Sequence, residues 1–140
     1  MDEQEKLRIL ITDDSRLLRK KLREELEKQN CEVIEAVNGK EAITAVLEQE
    51  LDGVILDIVM PVVGGIEALQ FIREVSPDTP VVMLSSMNTP QKLMQCLKMG
   101  AIDFINKPYA KEQIVHTVES FKKIKEKRLD KAHAEEYNDF

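Results

Sequence analysis

Val54-Ile55-Leu56-Asp57-Ile58-Val59-Met60-Pro61 decides how the rest of the chain is read. Val54, Ile55 and Leu56 stand in succession with no polar position between them, the pattern of a short strand covered on both faces. The run closes on a carboxylate, Asp57, and the loop that follows is broken by Pro61, Gly64 and Gly65.

Working outward, Val81-Val82-Met83-Leu84 repeats the pattern, and Leu7-Arg8-Ile9-Leu10-Ile11-Thr12 opens the chain with a similar strand. Helical periods fill the intervals. Leu18, Leu22 and Leu26 recur at i, i+4, i+8 in a helix from about Ser15 to Gln29. Asn38 caps a second helix, with Glu41 three residues on as in a capping box and Ala42, Ile43, Val46 and Leu47 facing inward. A third runs from about Gly65 to Val75. Asn88-Thr89-Pro90 starts a fourth and Gly100 stops it. Ile114, Val118 and Phe121 define the last. Cys31 to Val37 and Ile102 to Asn106 are strand-like but carry Glu32, Glu35 and Asp103, as edge strands can. Five β-α units in a row imply a parallel sheet. Apolar strands one, three and four in the middle give a doubly wound, flavodoxin-like α/β fold of order 2-1-3-4-5 with five helices.

The 140 residues fit one domain, and 43% hydrophobic with 33% charged residues fits a soluble globular chain. No apolar run approaches the ~18 residues of a membrane helix. The start, Met1-Asp2-Glu3-Gln4-Glu5-Lys6, is too polar for a secretory signal, so the expected location is the cytoplasm. A net charge of −6 argues against a surface devoted to nucleic acid. Cys31 and Cys96, without CxxC spacing, read as free thiols. His116 and His133 read as solvated helix residues, and Met83, Met94 and Met99 as packing residues.

In open α/β sheets ligands bind at the carboxyl ends of the strands, where the order reverses. Asp13 and Asp14 follow strand one there, Asp57 ends strand three, Ser85 ends strand four and Lys107 follows strand five. Two carboxylates ~4 Å apart repel by ~4 kcal/mol at an effective dielectric of ~20, so three together call for protonation or a cation. An all-oxygen set without Cys or His suits a hard ion such as Mg²⁺. With Asp57 as nucleophile, Lys107 to neutralise a phosphoryl oxygen and Ser85 to donate a hydrogen bond to another, the set suits phosphoryl transfer.

Asp13-Asp14, Asp57 with Met60-Pro61 and Gly65, Ser85, and Lys107-Pro108 together resemble the signature of response-regulator receiver domains over roughly Leu7 to Phe121. The resemblance implies that Asp57 accepts a phosphoryl group from a sensor histidine kinase or a histidine phosphotransfer protein. It implies Mg²⁺ on Asp13, Asp14, Asp57 and the backbone carbonyl of Val59. It also implies a switch in which the Ser85 hydroxyl moves towards the phosphoryl group and the Phe104 ring turns inward, and a cis Lys107–Pro108 peptide. Such a protein is a signalling phosphoacceptor rather than a turnover enzyme. Val59 and Met87 are apolar where many members of the family carry polar groups; these positions flank the approach of a hydrolytic water, so a long-lived phosphoryl group is expected.

Rival readings fit less well. A phosphatase of the haloacid-dehalogenase type needs a second acid where Val59 stands, and dinucleotide binding needs a glycine-rich turn where Thr12-Asp13-Asp14-Ser15 stands. Residues 122–140 read as a charged extension of the last helix, with Lys122, Lys123, Lys125, Lys127, Arg128 and Lys131 dense in it. That stretch is too short for an output domain, so the expected output is a protein contact without DNA or membrane. The resemblance offers the flagellar motor switch of chemotaxis, a phosphatase, or a phosphorelay in which a histidine phosphotransfer protein receives the phosphoryl group. A monomer or a phosphorylation-dependent dimer is expected.

Overall fold

The computed structural model describes residues 6–86 and 89–138. Its elements alternate in chain order: β1 (Leu7–Thr12), α1 (Arg16–Lys28), β2 (Cys31–Ala36), α2 (Gly39–Glu48), β3 (Gly53–Asp57), α3 (Gly65–Val75), β4 (Val81–Ser85), α4 (Pro90–Lys98), β5 (Asp103–Asn106) and α5 (Lys111–Asn138). The strands form one parallel sheet of order β2-β1-β3-β4-β5, as the distribution of polar residues predicts.

Alternate strand positions serve different layers. Ile9, Ile11, Ile55, Val82, Leu84 and Ile105 pack with Leu22 and Leu26 of α1 and Ile114, Val118 and Phe121 of α5. Leu10, Val54, Leu56, Val81 and Met83 pack on the other face with Ala42 of α2, Ala68, Leu69 and Ile72 of α3, and Cys96 of α4. Every residue of β3 and β4 is buried, because helices cover both of their faces. Phe121 lies so close over Gly53 that a Cβ there would overlap its ring.

Local chemistry sets the boundaries. Ser15 caps α1, its hydroxyl accepting the Leu18 N–H at 3.3 Å. Asn38 accepts the Glu41 N–H at 2.9 Å, while the Glu41 carboxylate reaches back to the Val37 N–H at 3.1 Å, one residue beyond a standard capping box. Gly100 follows α4 with φ 111, a left-handed conformation that favours glycine. Asn88, expected to help start α4, lies outside the described residues, and Thr89 occupies the cap position with Pro90 at the first helical turn.

Two inward assignments are corrected. Leu47 is 61% and Met94 is 55% exposed. Ala42, Ala45 and Val46 take the core side of α2, and Leu93, Cys96 and Leu97 that of α4. Leu47 and Met94 each lie one residue, about 100°, past a core position, which turns them to water. α5 continues through the basic stretch to Asn138, and residues 131–136 are exposed. Lys125 within it pairs with Asp52 at 3.2 Å. Among the described residues no helix is long and apolar enough to cross a membrane.

Candidate functional site

The order reversal between β1 and β3 brings the carboxyl ends of those strands together, and the candidate site lies there. Thr12 is the last residue of β1, so Asp13 leaves the sheet at its upper edge and is 1% exposed. Its Oδ1 accepts the Ser15 N–H at 2.9 Å, a local turn that starts α1. Asp14 is exposed beside it. Asp57 closes β3, and its Oδ1 accepts the Val59 N–H at 3.3 Å, which holds the following loop against the carboxylate. Gly65 passes over the Asp57 carbonyl so closely that a Cβ would overlap it.

One carboxylate oxygen from each of Asp13, Asp14 and Asp57 lies within 4.8 Å of the others. Lys107 brings its Nζ to 2.5 Å from Asp57 Oδ2 and 2.9 Å from Asp13 Oδ2. The first contact is a hydrogen bond; the second is an ion-pair contact only, and Asp13 Oδ2 is buried with no hydrogen-bond donor aligned to it. The chemistry of this donor set fits a hard divalent cation: three carboxylates, no sulfur or imidazole, and a buried oxygen with an uncommitted lone pair.

Burial raises the Asp57 carboxyl above its ordinary range, against the opposing pull of the Lys107 bond and charge, and Asp13 adds to the rise. Burial works against the Lys107 ammonium, but the hydrogen bond to Asp57 and the negative charges of Asp57 and Asp13 outweigh it and lift that group too. The two shifts share a direction because the pair favours the ammonium while desolvation dominates at the carboxylate. Lys107 is therefore charged at neutral pH, and the site retains a cation of its own.

Ser85 is buried at the end of β4, and its hydroxyl bonds locally rather than to Asp57 or Lys107. Its contacts are the Ser86 carbonyl at 3.3 Å and the Thr89 hydroxyl at 3.4 Å. Phe104, opposite Met83 in register, is 38% exposed on the edge strand. Val59 is 53% exposed at the mouth of the site, whereas Met87 lies outside the described residues. The Lys107–Pro108 peptide is cis. Asp13, Asp14, Asp57 and Lys107 thus converge, while the Ser85 hydroxyl has its hydrogen-bond contacts with Ser86 and Thr89 and Phe104 lies on the edge strand.

Sequence reading missed two supports. The Tyr109 hydroxyl donates to the Leu18 carbonyl at 2.7 Å, tying the turn after Lys107 to α1; burial, with a smaller contribution from Asp13, raises its pKa to about 12. The Arg19 guanidinium donates to the Asp13 carbonyl at 2.8 Å. Both bonds go to backbone carbonyls far from the donor in sequence or on a helix flank, where side-chain patterning gives no signal.

The model of the response regulator receiver domain matches residues 9–119. The transcriptional regulatory protein ResD of Bacillus subtilis is 37% identical over 86% of this chain, which spans 50% of that protein. The chemotaxis protein CheY of Thermotoga maritima is 34% identical over 83% of this chain and 98% of its own length. The chain spans under a third of two protein-glutamate methylesterases that it also resembles. A CheY-like receiver domain protein of Methanospirillum hungatei superposes with a TM-score of 0.81 at 22% identity, over 87% of this chain and 98% of that one, which shows the shared fold.

Proposed function

The chain belongs to the response-regulator receiver domain family of two-component signalling, and from that premise we propose that Asp57 is the phosphoacceptor for a histidine kinase. The carboxylate oxygen of Asp57 attacks the phosphorus, the donor's phosphorus–nitrogen bond breaks, and the phosphoryl group remains as an acyl phosphate. The observation that supports this best is the single ammonium of Lys107 set against both Asp57 and Asp13, at 2.5 and 2.9 Å. It can neutralise a phosphoryl oxygen as soon as one arrives. Asp13, Asp14 and Asp57 side chains, with the Val59 carbonyl, are the proposed holders of Mg²⁺. When bound, that ion supplies positive charge to the transferring oxygens.

Ser85 and Phe104 are the proposed switch. A phosphoryl oxygen on Asp57 gives the Ser85 hydroxyl a charged acceptor in place of the long contacts to Ser86 and Thr89. The half-exposed Phe104 ring on β5 is the proposed second part, turning inward as the hydroxyl moves. The output is then a change in a protein-binding surface. A chemotaxis-type role in the cytoplasm is favoured by CheY of T. maritima, of which this chain spans nearly the whole length. Transfer onward to a histidine phosphotransfer protein is the second reading, supported by the intact acceptor set alone.

Incubation with acetyl phosphate and Mg²⁺ is expected to add one phosphoryl group by intact mass, and Asp57→Asn to abolish the gain. A variant that still gains the full mass refutes the assignment. Affinity capture with and without beryllofluoride then separates the two outputs: a switch protein retained only with beryllofluoride supports the first, a histidine phosphotransfer protein the second.

A further inference from the structure

We propose that Arg19 is a positioning residue for the metal site, holding the Asp13–Asp14 peptide so that the carboxylates converge; the inference rests on the phosphoacceptor reading above. It begins with a break in a pattern. Cys31, Val33 and Glu35 are the β2 positions that face α1, and the first two are buried against Leu22 and Leu26. Glu35 interrupts that apolar face opposite Ile11, two residues before Asp13 in β1's direction. Its carboxylate receives two guanidinium groups from α1, Arg19 Nε at 3.2 Å and Arg23 Nη1.

The Arg19 side chain is 12% exposed, and its other arm, Nη1, donates to the Asp13 carbonyl at 2.8 Å. A guanidinium is a rigid planar fork, so anchoring Nε on Glu35 fixes where Nη1 points. The Asp13 carbonyl lies in the planar peptide that leads to Asp14. Pinning that oxygen therefore sets the direction in which Asp14 leaves the strand. The Asp13 N–H is already held by the Ala36 carbonyl at 3.3 Å and Oδ1 by the Ser15 N–H at 2.9 Å. Arg19 completes the frame from the one side those bonds leave open.

Charge and position make opposite claims, which allows them to be separated. Arg19 is a cation beside a cation site, so by electrostatics alone its loss strengthens Mg²⁺ binding. If its part is to aim the ligands, its loss weakens binding, since removing outer-shell support typically costs 10–100-fold in metal affinity.

The test is calorimetric titration of Mg²⁺ alone into the unphosphorylated chain, with urea melts in parallel. Arg19→Met is expected to raise Kd roughly tenfold, the low end of the range for outer-shell loss. Arg19→Lys keeps the charge but cannot span both partners, and is expected to raise Kd by less. Tighter or unchanged binding in Arg19→Met overturns the proposal, whatever its melt. Should Arg19→Met fail to fold, Arg19→Lys decides alone, and a wild-type Kd there overturns it. A wild-type chain that binds no Mg²⁺ sinks this inference and the metal assignment together, whereas normal wild-type binding with indifferent variants sinks only the inference.

Discussion

Replacing Lys107 with methionine keeps the length of the side chain and removes the ammonium from between two buried carboxylates. The contacts at 2.5 and 2.9 Å are each worth about 6 kcal/mol of attraction at an effective dielectric of about 20, before desolvation is subtracted. Without them Asp13 and Asp57 face each other inside a cluster whose oxygens lie within 4.8 Å, where repulsion is about 3 kcal/mol or more at the same dielectric. Stripping one partner from a buried pair costs about 3–5 kcal/mol, because the remaining charge is left uncompensated. Asp57 is already disposed to take up a proton through its burial, which caps the loss near the lower end. Lys107→Met is therefore expected to lose about 3 kcal/mol in urea denaturation at pH 7 without divalent cations. Mg²⁺ should then return more stability to the variant than to the wild type, because in the wild type it must compete with the ammonium. At a hundred times its Kd a ligand supplies about 2.7 kcal/mol, which would bring the variant close to the stability of the cation-free wild type. A cation-free loss under about 1 kcal/mol, or equal stabilisation of both proteins by Mg²⁺, refutes the reasoning.

Asp57→Asn carries a pH signature. The folded carboxyl sits above its ordinary 3.8, so the native state holds that proton more tightly than the unfolded chain does. Wild type therefore loses stability relative to the variant as pH rises from about 4 through the raised value; a wild type that gains on the variant over that window contradicts this. Val62 is β-branched, 77% exposed and held at φ 68, so Val62→Gly is expected to raise the urea-derived stability by about 1 kcal/mol, and a loss of that size would show the backbone is unstrained. Tyr109→Phe should remove the late phenolate absorbance in a spectrophotometric titration, since Tyr109 ionises near 12; unchanged absorbance up to that pH counts against its burial. Val59→Asn combined with Met87→Glu is expected to speed decay of the phosphorylated form in Mg²⁺ by giving the attacking water a polar partner. Decay no faster than wild type removes the expectation of a long-lived phosphoryl group.

The sheet was legible because its strands differ in kind. Val54-Ile55-Leu56 and Val81 to Leu84 could only lie between two helical layers, and Glu32, Glu35 and Asp103 could only be tolerated at edges. The acidic cluster was legible because order 2-1-3-4-5 determines which strand ends meet. Less legible were positions where helix periodicity is satisfied by more candidates than the core has seats: Leu47 and Met94 point to water because an adjacent residue takes the place. Glu35 read as a tolerated edge charge, yet it anchors two arginines. Its partners are a helix away, and nothing in the spacing of Arg19 singles it out from Lys20 or Lys21 on the same helix.

The sheet also acts as a partition. Met83 and Leu84 are neighbours along β4, yet one belongs to the layer with α2, α3 and α4 and the other to the layer with α1 and α5. Substitutions at these two positions share few partners, so their costs should add, whereas Met83 and Leu69 in one layer should not. Such a molecule can be altered on one side while the other keeps its packing. The α1–α5 side carries Arg19 and the support for the acidic pair; the α4 side carries Thr89 and the approach to Ser85. The packing that supports the acidic pair and the packing under Ser85 and Thr89 therefore lie in separate layers, and substitutions confined to one leave the contacts of the other in place.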